Sequence, residues 1–157
     1  MKGYRIAICL ALALVYVSTP VYAADNQVGT WKLNLAKSKY DPANLAPKST
    51  TSKTEAVDGG IKATVDTVDS TGANIHYEFT AKYDGKDYPV KGDPTRDTVA
   101  YKRIDDYTFE ATNKKGGKIT TTAKFVYSKD GKTRTITTTG TNAQGQKVSN
   151  VAVWDKQ

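Results

Sequence analysis

Closely spaced turn signals constrain this chain more than any other feature of its sequence. Eight short clusters rich in Gly, Asp and Asn interrupt it from residue 49 onward. They are Asp58-Gly59-Gly60, Ser70-Thr71-Gly72, Asp84-Gly85-Lys86, Gly92-Asp93-Pro94, Asp105-Asp106, Lys115-Gly116-Gly117, Asp130-Gly131-Lys132 and Asn142-Ala143-Gln144-Gly145. Such residues tolerate the positive φ angles of tight hairpins. Strands joined by turns this short must be antiparallel neighbours, because a parallel return needs a dozen or more residues. Eight turns bound nine strands, and the segment Gly29 to Leu33 adds a tenth.

The segments between the turns alternate apolar and polar residues with a period of two. In Ala73 to Tyr83, every second residue is apolar, including Tyr77 and Phe79, and the residues between them are polar, including His76. This alternation is typical of a strand with one buried and one solvated face. Threonine runs at 120–122 and 137–139 also favour strands, because β-branched side chains are stiff at χ1. The pattern predicts an antiparallel up-and-down meander.

Ten antiparallel strands are too many for a flat open sheet. A twisted sheet of this size either closes on itself or divides into two packed layers. Closure removes both exposed edges. Residues 24–157 contain three leucines, which are few for a solid sandwich core, and the inward positions hold mostly Tyr, Phe, Val, Ala and Thr. We predict an all-β, antiparallel up-and-down β-barrel of about ten strands with a partly filled lumen. An antiparallel β-sandwich is the alternative.

Residues 1–23 have the organisation of a secretory signal peptide. Lys2 and Arg5 precede an apolar run from Ile6 to Val17, and a small-residue site ends at Ala23. The apolar run has 12 residues, fewer than the roughly 20 that a helix needs to cross a bilayer. A transmembrane anchor is therefore disfavoured. We expect cleavage after Ala23 and a secreted or periplasmic location.

Composition excludes several classes of site from residues 24–157, which we predict to form a single lipocalin-like β-barrel domain. The one cysteine, Cys9, lies in the leader, so disulfides and thiolate metal sites are excluded from the domain. Without Lys2 and Arg5, 21 of the 23 basic residues remain against 16 acidic ones, a net charge of +5. The lysines are spread along the chain, which favours a solvated surface over a nucleic-acid interface. We predict no nucleic-acid partner and no membrane span after signal cleavage.

The two ends of the predicted barrel resemble a known group of proteins. The segment Gly29-Thr30-Trp31-Lys32-Leu33, followed by Ser38, Tyr40 and Asp41, is similar to the first strand of fatty-acid-binding barrels. Its Gly-x-Trp is shared by the wider lipocalin and calycin group. The closing segment Val151 to Lys156 is similar to their final strand, and the turns YDGKDYPV and SKDGKT resemble those of secreted bacterial lipocalin-like proteins of unassigned function. The resemblance implies a small-molecule-binding barrel in which Trp31 packs across the closed end.

Two departures limit what this resemblance implies about a ligand. Fatty-acid-binding barrels hold a carboxylate through an Arg-x-Tyr pair in the last strand, whereas the strand Val148 to Lys156 has no arginine. Their lid is a pair of helices, whereas the comparable insert here, Asn34 to Lys48, is half as long and contains Pro42 and Pro47. The resemblance therefore supports the fold more strongly than the ligand.

Two arginines and a set of aromatic residues are predicted to face the lumen. Arg103 shares strand parity with Val99 and Tyr101, and Arg134 shares it with Ile136. A guanidinium on an inward face is costly unless it meets an anion, and its planar fork fits a carboxylate. The aromatic members of this predicted ligand-binding set are Tyr77, Phe79, Tyr101, Phe109, Phe125 and Tyr127. We hypothesise that the lumen binds an apolar molecule with an acidic head. In the alternative, both arginines lie at strand ends and reach water, and Ala100 and Ile104 mark the inner face of their strand.

Catalysis and metal binding have no strong candidate in the sequence. His76 is the only histidine and falls on a polar strand face, so neither a transition-metal site nor a Ser-His-Asp set can be completed around it. Four aspartates, Asp84, Asp87, Asp93 and Asp97, lack the ligand spacing of a calcium loop and fit turn-forming roles. We predict no catalytic residue, no metal, no cofactor and no enzymatic activity.

Two functions follow from these features. The first is a secreted or periplasmic binding protein for a small apolar or amphipathic ligand held in the lumen. The second is a non-catalytic envelope-associated interaction or structural module with a packed interior. A cavity on the order of several hundred cubic ångströms, the usual scale of ligand pockets, would favour the first.

Overall fold

The computed structural model describes residues 26–142 and 144–157. The predicted signal peptide, residues 1–23, lies outside this part of the chain. The described residues form ten strands: β1 (Gly29–Lys39), β2 (Ser49–Val57), β3 (Gly60–Val68), β4 (Asn74–Lys82), β5 (Asp84–Lys91), β6 (Thr98–Arg103), β7 (Thr108–Lys115), β8 (Lys118–Tyr127), β9 (Thr133–Thr141) and β10 (Lys147–Lys156). A three-residue 3-10 helix, Ala43–Leu45, follows β1. Within the described ranges, no helix has the length and apolar character needed to cross a membrane.

The ten strands form one closed antiparallel ring. Each strand pairs with its neighbours along the chain, and β1 completes the ring by lying between β2 and β10. On this closing strand, Trp31 lies opposite Ser52 of β2 and Lys156 of β10. The predicted all-β up-and-down barrel is thereby confirmed, and the two-layer sandwich is excluded.

The first strand is longer than the sequence predicts. It continues past Leu33 to Lys39 through an irregularity in its pairing with β10 between Asn34 and Lys39. Ser38 bridges this irregularity, because its hydroxyl donates to the Asn34 carbonyl at 2.7 Å and accepts from the Val153 amide at 2.9 Å. Side-chain hydrogen bonds thus replace part of the regular ladder. The predicted insert Asn34 to Lys48 is therefore a connecting segment only beyond Lys39.

One end of the barrel is packed shut around Trp31. This side chain is 0% exposed, and its indole N–H donates to the Gln27 carbonyl at 2.9 Å. Tyr127 meets it edge-on with ring centroids 5.4 Å apart, and Phe109 packs against Tyr127 at 5.9 Å. Gln27 also donates from its side-chain amide to the Tyr83 hydroxyl at 2.9 Å. Trp31 thus occupies the closed-end position that the calycin resemblance implied.

The opposite end carries the loops that reach the lumen. Connections β1–β2, β3–β4, β5–β6 and β9–β10 contribute wall residues, for example Tyr40, Asp69, Arg96 and Asn142. Among the described residues, the turns at the Trp31 end contribute none. The mouth of the barrel therefore lies at the loop end, and the Trp31 end is its floor.

Trp31→Ala is expected to lower the free energy of unfolding by about 3–5 kcal/mol, because it removes a fully buried aromatic side chain and leaves a cavity. Urea unfolding followed by circular dichroism would measure this. Ile119→Ala is the matched control, since Ile119 is 63% exposed and its truncation is expected to change stability by no more than about 0.5 kcal/mol. Similar losses in both variants would contradict a packed floor.

Candidate functional site

A cavity of about 700 Å³ occupies the lumen. Its middle is walled by aromatic rings from β4, β6 and β8, namely Tyr77, Phe79, Tyr101 and Phe125. Tyr101 lies 6.0 Å from Phe79 and 5.4 Å from Phe125, measured between ring centroids. These rings face inward because alternate residues of a strand point to opposite faces of the sheet. The cavity is of the size that holds a small organic molecule.

Arg134 lies at the floor of this cavity. It is the second residue of β9, between Tyr127 of β8 and Trp154 of β10 in the strand register. The residue is 5% exposed, and its guanidinium carbon lies 4.4 Å from the Trp154 ring centroid and 5.0 Å from that of Trp31. Two indole faces therefore hold the flat guanidinium through cation–π contacts.

The N–H groups of Arg134 are not matched by the protein. Its buried Nε has no hydrogen-bond acceptor among the described residues, and no ion pair with Arg134 forms within them. The indole N–H of Trp154 is likewise buried with no acceptor in residues 26–142 and 144–157. Unmatched buried donors cost free energy, and a charged donor costs more than a neutral one. Arg134 thus brings to the cavity floor a cation that has no counter-charge among the described residues.

Tyr101 adds a neutral phenol to the same region. Burial raises its pKa well above the usual value for tyrosine, and the neighbouring Tyr127 raises it further, while Arg134 acts in the opposite direction. The side chain therefore stays protonated throughout the neutral range and can act as a hydrogen-bond donor. The Arg134 cation and the neutral Tyr101 phenol together make this part of the cavity more favourable for an anionic group than for a cationic one.

Arg96 contrasts with Arg134 because its charge is matched. It extends from the β5–β6 loop. Its Nε lies 2.8 Å from Asp93 Oδ2 in an ion pair whose angles are poor for a hydrogen bond. A terminal guanidinium nitrogen donates to Asn113 Oδ1 at 2.7 Å. Its guanidinium also lies over Tyr77 at 4.8 Å. Burial disfavours the cation, but Tyr77, Asp93 and Tyr101 outweigh that effect and raise the pKa of Arg96. The charge of the cation at the mouth is therefore balanced by a carboxylate of the protein itself, that of Asp93.

Six of the eight predicted ligand-binding residues line the cavity: Tyr77, Phe79, Tyr101, Phe125, Tyr127 and Arg134. The other two, Arg103 and Phe109, do not. Arg103 is the last residue of β6, is exposed, and donates to Asp106 Oδ1 at 3.0 Å and to the Asp105 carbonyl at 3.3 Å. Phe109 is buried beneath the floor, 5.3 Å from the Tyr83 ring. Alternation along β6 puts Arg103 on the same side of the strand as the buried Val99 and Tyr101, as the sequence predicts. Because Arg103 ends the strand, its long side chain still reaches water.

Most of the residues that line the cavity were not predicted from the sequence, among them Gln27, Asp93, Arg96, Asn113 and Trp154. Asn113 shares parity with the inward Ala111, so the period-two pattern contained its signal. Asp93 and Arg96 lie in a turn that the sequence marks only as a turn. Gln27 lies outside any strand, so no periodicity signals it.

The candidate metal ligands lie apart from the cavity or in turn roles. His76 Nδ1 is 2.7 Å from Asp66 Oδ1 on the exposed outer face. Asp84 accepts from the Lys86 amide, Asp87 pairs with Lys114, and Asp97 accepts from the Gly116 amide. The described part of the chain contains no group of three or more residues that could hold a metal ion.

Comparison with known proteins identifies no family for this chain. No protein-family model matches the sequence, and none of the curated proteins matches it. The likeness to calycin-type barrels therefore rests on the closed ten-stranded architecture and on the end motifs.

Asp93→Asn is expected to destabilise the protein on the order of 3 kcal/mol, because it leaves a largely buried guanidinium without its counter-charge. Thermal unfolding would measure the change. Asp58→Asn serves as the control, since Asp58 pairs with Lys82 in full solvent contact, and we expect no measurable effect there. Equal melting temperatures for wild type and Asp93→Asn would show that the ion pair is not structural.

Tyr40, at the mouth, gives the barrel an alkaline sensitivity. Burial raises its pKa from 10.0 to about 12. Between these values the unfolded chain ionises more readily than the folded one, so stability present below pH 10 is lost as the pH rises toward 12. Tyr40→Phe is expected to lose less stability over this range than wild type, as measured by urea unfolding at several pH values. The same slope in both proteins would contradict the assignment.

Proposed function

We propose that this protein binds a small apolar or amphipathic molecule with an acidic head inside the barrel lumen. The observation that carries the proposal is Arg134, which is 5% exposed and lines the cavity, and which has neither an acceptor for its Nε nor an ion pair among the described residues. A ligand carboxylate at the floor would supply the missing acceptor and the missing charge.

The shape of the cavity supports the same proposal. Aromatic walls suit an apolar body, and the volume of about 700 Å³ lies within the range of small-molecule sites. The cation lies at the floor, so the ligand enters with its acidic end first and leaves its other end toward the loops. The aromatic rings of β4, β6 and β8 enclose the intervening body.

The rival function, an interaction or structural module, requires a packed interior. A cavity of this size inside the ring favours a carrier over such a module. The proposed role requires no chemistry, and no group of three or more potential metal ligands is found among the described side chains.

The proposed site of action is outside the cytoplasm. Lys2, Arg5 and the apolar run from Ile6 to Val17 support export. N-terminal sequencing of the exported protein is expected to begin at Ala24, and an uncleaved chain in the cytoplasm would overturn this placement.

Arg134→Met tests the acidic head. The methionine keeps an apolar stem between the indole rings, so the fold is expected to survive, as checked by circular dichroism. Binding would be read by energy transfer from Trp31 and Trp154, the only tryptophans, to cis-parinaric acid, with hexadecanoic acid and its methyl ester as competitors. We expect the variant to lose about tenfold to a hundredfold in affinity for the acid, and little for the ester, since hydrogen bonds to charged groups contribute about 1.5–3 kcal/mol.

Arg103→Met is the matched control, because Arg103 lies outside the cavity wall, and wild-type affinity is expected. Equal affinity of wild type and Arg134→Met for hexadecanoic acid would overturn the acidic head. Failure of wild type to bind cis-parinaric acid, hexadecanoic acid or the ester would overturn lumenal binding itself.

A further inference from the structure

The inner face of β2 is built of hydroxyl groups. Its three inward side chains, Thr50, Ser52 and Thr54, are 7%, 5% and 3% exposed, and all three line the cavity. The neighbouring strand β3 presents Thr67, Val65 and Ala63 opposite these three residues, so only one of the three β3 partners is polar. One wall of the lumen is therefore polar along its length, whereas the walls formed by β3, β4 and β8 are mainly apolar or aromatic.

Two of these hydroxyls are not satisfied by the protein. Thr50 accepts a hydrogen bond from the Thr67 hydroxyl at 3.2 Å. Ser52 and Thr54, in contrast, make no side-chain hydrogen bond with any residue in the described ranges. Strand propensity favours threonine, but valine would supply the same β-branching without a buried polar atom, and serine is not β-branched at all. Neither oxygen is among the fully buried, unpartnered atoms of the described residues, so both hydroxyls are open to the cavity that they line, and local folding preference does not account for the pair.

These hydroxyls lie at the depth of Arg134. Ser52 is the register partner of Trp31, and Thr54 is that of Gly29, while the Arg134 guanidinium stacks on the Trp31 ring at 5.0 Å. Alternate strand residues are spaced by about 7 Å, so the row runs from the floor at Thr54 toward the mouth at Thr50. A molecule whose acidic head lies at Arg134 would pass along this row with one edge.

We infer that the ligand is an acid whose apolar body carries hydroxyl groups along one edge, and that Ser52 and Thr54 select it over an unsubstituted fatty acid. This inference rests on the proposed lumenal binding at Arg134. The β2 hydroxyls donate to and accept from the ligand's polar edge, while the aromatic walls contact its apolar edge. Ser52 and Thr54 are thereby specificity-determining residues.

The test compares two ligands with the same carbon chain. Hexadecanoic acid is apolar beyond its carboxylate, and aleuritic acid is its trihydroxylated derivative. Affinities of both are measured by calorimetry for wild type and for the double variant Ser52→Ala, Thr54→Val. We expect the double variant to lose roughly tenfold in affinity for aleuritic acid, the scale of two modest neutral hydrogen bonds, with affinity for hexadecanoic acid unchanged or higher.

Thr51→Val is the matched control, because Thr51 lies on the same strand but is exposed on the outer face, and it is expected to leave both affinities unchanged. Equal losses for the two acids in the double variant, or no loss for either, would overturn the selection by hydroxyls while leaving lumenal acid binding intact. If wild type binds neither acid, the proposed function itself fails. Circular dichroism confirms that each variant is folded.

Discussion

The hydrogen-bonded seam between β1 and β10 is the constraint on which the rest of the structure depends. It joins the first and last strands of the barrel, with Leu33 opposite Trp154 and Trp31 opposite Lys156. Only a closed ring gives these strands an interior from which water can be excluded without a second sheet. The same seam brings Trp31 and Trp154 onto adjacent strands, so that both indole rings flank Arg134. Closure, the packed floor and the buried cation are therefore one structural unit.

The floor of the lumen holds a buried cation at a cost in stability. Each indole face offsets part of the desolvation of Arg134, by about 2 kcal/mol when the cation is shielded from water. The N–H edges of the guanidinium still need acceptors, and the described residues supply none for its Nε or for the indole N–H of Trp154. At the mouth, Arg96 has Asp93 and Asn113 as partners. This difference between a matched and an unmatched cation is the physical reason for placing a ligand's anion at the floor.

Arg103 and Arg134 show how far the site could be predicted. Both share parity with inward apolar residues, and the sequence gives no means of separating them. In the structure, Arg103 ends its strand and reaches Asp106 and the Asp105 carbonyl, whereas Arg134 is covered by residues from β1 and β10. Asn113 could have been found from parity alone. Arg96 could not have been found in this way, because it lies in a turn, which has no periodicity. Its side chain is held at the lumen by its contacts with Asp93 and Asn113.

By itself, the sequence determined the number of strands, their antiparallel order and, where the alternation is regular, the side of a strand that faces inward. These are local properties, because turn chemistry and alternation act over a few residues. The sequence favoured a closed ring but left the sandwich open, and only the tertiary structure decided between them, where the mouth lies and which inward arginine is buried. Those features depend on pairing between residues far apart in the chain, such as Trp31 with Lys156. No local pattern encodes such pairing, since it is selected by the packing of the whole interior.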